Sequence, residues 1–201
     1  LDRLLIANAK IGEILWNQSC KGGGIDGACV RMKRERAVRK RGKKKRSGVS
    51  LPTQCGEESK IKMTVLDRDR RLVNESQKYF KAALKNADKA ISGAPDEGRK
   101  AGTIYWMAAS KFYLTGESYE KFLALKFPTK LDFSERNAKK KKDSEKRFLK
   151  WFTDKQKAAA DLMKSYEAVR DIKGGGAAWA VAAAARVGQT SQNFSDGLFT
   201  A

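Results

Sequence analysis

Ala9-Lys10-Ile11-Gly12-Glu13 has a counterpart near the other end of the 201-residue chain, Ala185-Arg186-Val187-Gly188-Gln189. Asn17 and Ser19 then match Asn193 and Ser195 at the same offsets. In both copies a branched apolar residue precedes a glycine within a helical pattern. Glycine there costs about 1 kcal/mol against alanine, so it implies a packing reason. The expected reason is close approach of a neighbouring helix, received at Ile11, Gly12, Val187 and Gly188.

Outward from these copies, apolar periodicity predicts helices over residues 1–19, 69–92, 96–115, 117–125, 134–172 and 177–198. Gly22-Gly23-Gly24, Gly93 with Pro95, Gly116 and Gly174-Gly175-Gly176 supply the breaks, and Ser134 is the expected N-cap of the long helix. The predicted fold is all-α, an array of antiparallel helix pairs. Residues 1–19 form its first helix, 20–68 an insertion, and 69–201 the rest of the array.

The insertion departs from helical period. Cys29-Val30-Arg31-Met32-Lys33 and Lys60-Ile61-Lys62-Met63-Thr64-Val65 alternate apolar with polar residues, as a small β-hairpin does. An irregular loop with chance alternation is the other reading. Between the two runs, a tip at about 39–54 is expected to be disordered, because self-repulsion keeps a run of like charge extended.

Charge is concentrated in that insertion. The chain holds 43 Lys and Arg against 23 Asp and Glu, a formal +20. Half of the excess lies between residues 31 and 46, where Arg31, Lys33, Arg34, Arg36, Arg39, Lys40, Arg41, Lys43, Lys44, Lys45 and Arg46 face one acid, Glu35. These eleven are the candidate contacts to an anionic partner: an acidic protein, lipid head groups or lipopolysaccharide. The alternative is nucleic acid, with Lys139 to Lys142 as a second phosphate contact. Only Trp16 among the aromatics lies near the basic run, so stacking platforms for single strands are lacking.

The chain has no histidine. That removes His-based acid/base and nucleophile pairs, and with only three cysteines a closed zinc site is out of reach. The paired carboxylates Glu57-Glu58 and Asp67-x-Asp69 sit beside cations, as solvated or ion-paired groups do. Neither glycine triplet ends in the Lys-Ser/Thr of a phosphate-binding loop. No catalytic, cofactor-binding or metal-binding residue is therefore expected, and no enzyme. Ten aromatics at helical spacing (Tyr105, Trp106, Phe112, Tyr113, Tyr119, Phe122, Trp151, Phe152, Tyr166 and Trp179) are expected in the core between helices, with a subset available to a peptide groove.

Cys20, Cys29 and Cys55 all lie around the insertion. A disulfide using Cys20 with either Cys29 or Cys55 would pin the insertion to the helical body, and over a loop of ~40 residues contributes about 3–4 kcal/mol. This clustering favours an oxidising compartment, periplasm or cell envelope, over the cytoplasm. No stretch reaches the roughly 18–20 apolar residues of a membrane span. The chain begins at Leu1 rather than Met, as a mature form or a fragment does.

Ile11-Gly12 followed by Leu15 resembles the first-helix signature of the tetratricopeptide repeat family. Tyr79-Phe80-Lys81-Ala82-Ala83-Leu84, Tyr119-Glu120-Lys121-Phe122-Leu123 and Tyr166-Glu167-Ala168-Val169 resemble its second helices. Phe112 to Tyr119 resembles the turn within a repeat. The resemblance covers roughly residues 1–19 and 69–200, with spacing that departs from the regular period and Ser191 where an aromatic is usual. The stretch from Glu117 through Trp179-Ala180-Val181 and Arg186-Val187-Gly188 to Asn193-Phe194 is similar to large tetratricopeptide proteins of Gram-negative envelopes, some of gliding-motility machines. The resemblance implies a non-enzymatic scaffold that binds other proteins of its assembly, with further repeats beyond Ala201.

Overall fold

The computed structural model describes residues 1–25, 27–36, 59–174 and 176–199, with backbone alone at 34–36 and 59–62. Its elements in chain order are α1 (Asp2–Gln18), β1 (Val30–Arg36), β2 (Ser59–Val65), α2 (Arg70–Leu84), α3 (Ala87–Ser92), α4 (Glu97–Ala124), α5 (Ala138–Arg170) and α6 (Ala177–Phe199). The fold is all-α with one small antiparallel hairpin.

Side-chain contacts give the helix directions. Leu5 and Ala9 of α1 cluster with Ala83 of α2 and Ala87 and Ala90 of α3. Farther along α1, Gly12 meets Phe80 of α2, so α1 and α2 are antiparallel. Helix α4 runs with α1: Arg99 pairs with Asp2, Tyr113 reaches Glu13, and Gly116 lies under Trp16. Helix α5 runs against α4, with Lys155 at Phe122 and Tyr166 at Phe112. Helix α6 again runs with α4, Trp179 beside Tyr105 and Gln189 beside Tyr119. Leaving aside the short α3, each helix packs on the next, and α4 also packs on α1 and α6. This is an array of antiparallel helix pairs.

Small residues permit the closest approaches. The five-residue cluster of Leu5 with four alanines holds α1 near α2 and α3. The larger core is aromatic: Trp16, Phe80, Phe112, Tyr113, Tyr119, Phe122 and Tyr166 are all buried. Trp151 is buried too, whereas Tyr105, Trp106, Phe152 and Trp179 are half-buried. Rings meet in tilted, edge-on and stacked pairs, such as Phe80 on Tyr113 at 5.5 Å and Phe112 on Trp179 at 5.2 Å.

The two repeat copies fall on α1 and α6, the outer helices of one direction, but their glycines differ. A Cβ on Gly12 would lie 2.7 Å from the Phe80 ring, whereas at Gly188 nothing lies within 4 Å. The packing reason holds at Gly12 and fails at Gly188. Ile11 is also exposed, so it receives no helix; Val187 is half-buried against the core. The second close approach is at Gly116, where a Cβ would lie 2.7 Å from Trp16 Cζ2. Gly116→Ala should therefore lose about 1–2 kcal/mol, overpacking outweighing the gain in helix propensity. Gly188→Ala should gain about 0.5–1 kcal/mol. Thermal melts of the two variants check the opposite signs, and a loss at Gly188 would contradict the open space there.

Other expectations need correction. No break occurs at Gly116: α4 is continuous from Glu97 to Ala124, so Phe112 to Tyr119 is helix, not turn. The glycine leaves room for the Trp16 ring, and the flanking turns hold the helix through it. The segment 69–92 is divided at Lys85-Asn86 into α2 and α3. The N-cap of α5 is Asn137, whose Oδ1 accepts from Lys140 N at 3.0 Å. Ser134 instead donates from its N and Oγ to Asp132 in the preceding loop.

Candidate anionic-partner interface

Antiparallel pairing sets Val30 opposite Val65, Arg31 opposite Thr64, Met32 opposite Met63 and Lys33 opposite Lys62. Alternation then separates two faces. Val30 is buried, and Met63 and Val65 are half-buried against the aromatic core. Arg31 and Lys33 are exposed. The inner face thus joins the core at Val30, Met63 and Val65, while Met32 on the same face is exposed, and the outer face carries Arg31 and Lys33.

The hairpin's root is fixed by covalent and polar bonds. Cys20, just past α1, is bonded to Cys29, just before β1, with Cα atoms 5.5 Å apart. Cys20 also bridges Arg68, Leu66 N donates to Cys29 O at 2.8 Å, and Asp69 N donates to Ser19 O at 2.8 Å. Both legs of the insertion are therefore tied to the end of α1. The two cysteines are nine positions apart, so the chain-entropy contribution is about 2.5 kcal/mol, less than a 40-residue loop would give.

Arg68 is the polar centre of this root. Its guanidinium stacks on the Trp16 indole, 3.7 Å from the ring centroid. It donates to Glu120 Oε1 and Oε2 (2.7 to 3.0 Å), Trp16 O (2.6 Å), Ser19 Oγ (2.7 Å) and Gly27 O (2.9 Å). Glu120 Oε1 also accepts from the Cys29 backbone N–H at 2.7 Å, and Trp16 Nε1 donates to Gly27 O. The Arg68 and Glu120 side chains are 6% and 8% exposed. One buried ion pair thereby joins α1, the start of β1, the end of β2 and α4. It floors a cleft of about 190 Å³ whose rim carries Arg70, Glu117 and Lys121. Hydrogen bonds from Lys121, Arg70 and Gln77 outweigh desolvation and hold the Glu117 carboxyl below its ordinary range.

Arg68 and Glu120 were not among the residues singled out in the sequence. The readable signal was Glu120 between Tyr119 and Phe122, an acid on an apolar helical face. Asp69, read there as solvated or ion-paired, caps α2 by accepting from Arg71 N and Leu72 N. Of the eleven cation candidates, Arg31 and Lys33 lie on the outer hairpin face, and Arg34 and Arg36 continue β1. Arg39, Lys40, Arg41, Lys43, Lys44, Lys45, Arg46 and Cys55 lie outside the described residues, as does the tip at 39–54. Lys139 to Lys142 are consecutive in α5, so at about 100° per residue they point around the helix and form no single patch.

Among the described residues, no group of three or more Cys, Asp or Glu is placed to hold a metal ion. None of the described helices is long and apolar enough to cross a membrane. No family model matches the chain, and no curated protein or solved structure was found to be similar.

Proposed function

We propose that this chain is a non-enzymatic, tetratricopeptide-like scaffold that holds a cationic arm for an anionic protein partner. The observation that carries this is the hairpin root. A disulfide and a buried arginine–glutamate pair fix the arm to the helical body, while Arg31 and Lys33 face outward. A tether meant only for solubility needs no such anchorage.

The alternation of helix directions and the covered Gly12 support the tetratricopeptide-like part of the proposal. The Cys20–Cys29 bond supports an oxidising site of action, periplasm or cell envelope. The partner is an acidic segment of another subunit, drawn in by the arm and held against the array.

The test titrates the intact chain, and a variant lacking residues 39–50, with a short oligoglutamate peptide and with a short DNA duplex. The full chain should bind the peptide, and the deletion should abolish most of that binding. Duplex binding should be absent at about 150 mM salt. Equal peptide binding by both proteins removes the arm from the function. Steeply salt-dependent duplex binding that vanishes with the deletion replaces the proposal with the nucleic-acid alternative.

A further inference from the structure

The outer side of α5 carries a second cationic surface, separate from the hairpin. On a helical wheel at about 100° per residue, Lys139, Lys142, Lys146, Lys150, Lys157 and Lys164 fall within about 80° of arc. All six are exposed. The other residues in that arc are Thr153, Ala160 and Ala168, and no Asp or Glu enters it. Asp143, Asp154 and Asp161 line one flank. Among the described residues, only Lys150 of the six makes an ion pair, with Asp154 at 2.7 Å. Lys155 lies on the opposite side of the helix, with the buried residues, and is turned into the core.

A helix whose buried side is set by Trp151, Ala159, Leu162 and Tyr166 need not place lysines in line on its opposite side. Solubility alone is served by mixed charges, as on the flank. Six aligned lysines over about 38 Å form a straight ridge of positive charge in which only Lys150 is ion-paired among the described residues. Its counterpart is a surface carrying negative charge at regular spacing in a plane.

We infer that the lysine ridge of α5 lies on the head groups of an anionic lipid surface. A straight ridge meets a plane along its whole length. The phosphate rows of a duplex wind away from such a line, so only part of it would make contact. The ridge has no Arg, Asn or Gln to read base edges and no aromatic ring to stack on a base. Lysine, a compact point charge, suits delocalised attraction to lipid phosphate. Leu149, 59% exposed beside Lys142 and Lys146 on the wheel, supplies one apolar side chain to enter between head groups.

Sedimentation with vesicles of one quarter phosphatidylglycerol and three quarters phosphatidylcholine tests this at low ionic strength. The variant is Lys142→Gln with Lys146→Gln and Lys157→Gln, all exposed and unpaired among the described residues. The control removes the same charge from α2, by Lys78→Gln with Lys81→Gln and Lys85→Gln. Each lysine near an anionic surface contributes about fivefold to partitioning, so the ridge variant should bind about 100-fold more weakly and the control much less so. Neither protein should bind pure phosphatidylcholine. Matching thermal melts establish that both variants are folded. Equal losses in variant and control would reduce the effect to net charge and overturn the inference. So would unchanged vesicle binding, including the case where the ridge variant instead loses affinity for a short DNA duplex.

Discussion

Glu120→Ala should lower the free energy of unfolding by about 3–5 kcal/mol, the cost of leaving a buried arginine without its counter-ion. The carboxylate receives three short contacts from Arg68 and one from the Cys29 amide. Removing it strands a guanidinium that is 6% exposed and an amide at the head of β1. Arg68 retains Trp16 O, Ser19 Oγ and Gly27 O, which neutral acceptors supply without compensating its charge. Arg68→Met should cost a similar amount, because Glu120 then stays buried with the Cys29 amide alone. The double variant Arg68→Met with Glu120→Leu should lose less than the sum of the two singles, since no charge remains buried. Urea midpoints of the four proteins, with the disulfide intact, measure this. A single-variant loss below about 1 kcal/mol would mean that water reaches the pair.

The same network explains why part of the candidate site was legible in the sequence and part was not. The hairpin could be read because alternation at Val30, Met32, Met63 and Val65 is local to each strand. The disulfide could be narrowed to Cys20 with one of two partners because all three cysteines bracket one insertion. Arg68 and Glu120 are 52 residues apart and belong to different elements, so no spacing rule joins them. In a chain with 43 Lys and Arg, one buried arginine has no compositional mark.

For the fold, helix existence followed from periodicity, while boundaries depended on tertiary contacts. Gly116 has the local chemistry of a break but lies beneath Trp16, so the helix runs through it. Gly188 repeats the motif of Gly12 without the ring that covers Gly12. Lys139 to Lys142 drew attention as a run, yet the helix scatters adjacent residues and aligns those three, four or seven apart. The ridge from Lys139 to Lys164 was therefore present in the sequence as a period, hidden behind a more visible cluster.

Stability should rise with pH from about 8 to about 10, because of Lys155. Its side chain is 2% exposed, and burial pushes its amine down to about 8. Nζ donates to Phe122 O, Leu125 O and Asn193 Oδ1 at 2.7, 3.1 and 2.8 Å, and lies 3.8 Å from the Phe122 ring centroid. Lys155 thus closes the carbonyl end of α4 and ties it to α6. Unfolded, the lysine titrates near 10.4. Between the two values the unfolded chain holds a proton that the folded chain has released, so stability increases as pH rises through that window. The full gain is about 3 kcal/mol at most, since bonds to the three oxygens favour the ammonium and offset part of the desolvation. Above about pH 10 the trend reverses. Burial raises the Tyr113 and Tyr166 hydroxyls, so the folded chain keeps protons that unfolded tyrosines lose. Denaturant midpoints between about pH 7 and 11 should pass through a maximum near 10, measured in a Cys55→Ser background to suppress thiolate exchange. Lys155→Met should abolish the rise and keep the fall. A wild-type midpoint flat from about pH 7 to 10 would show that the three oxygens hold the ammonium at full strength, leaving the buried cation as a fixed charge.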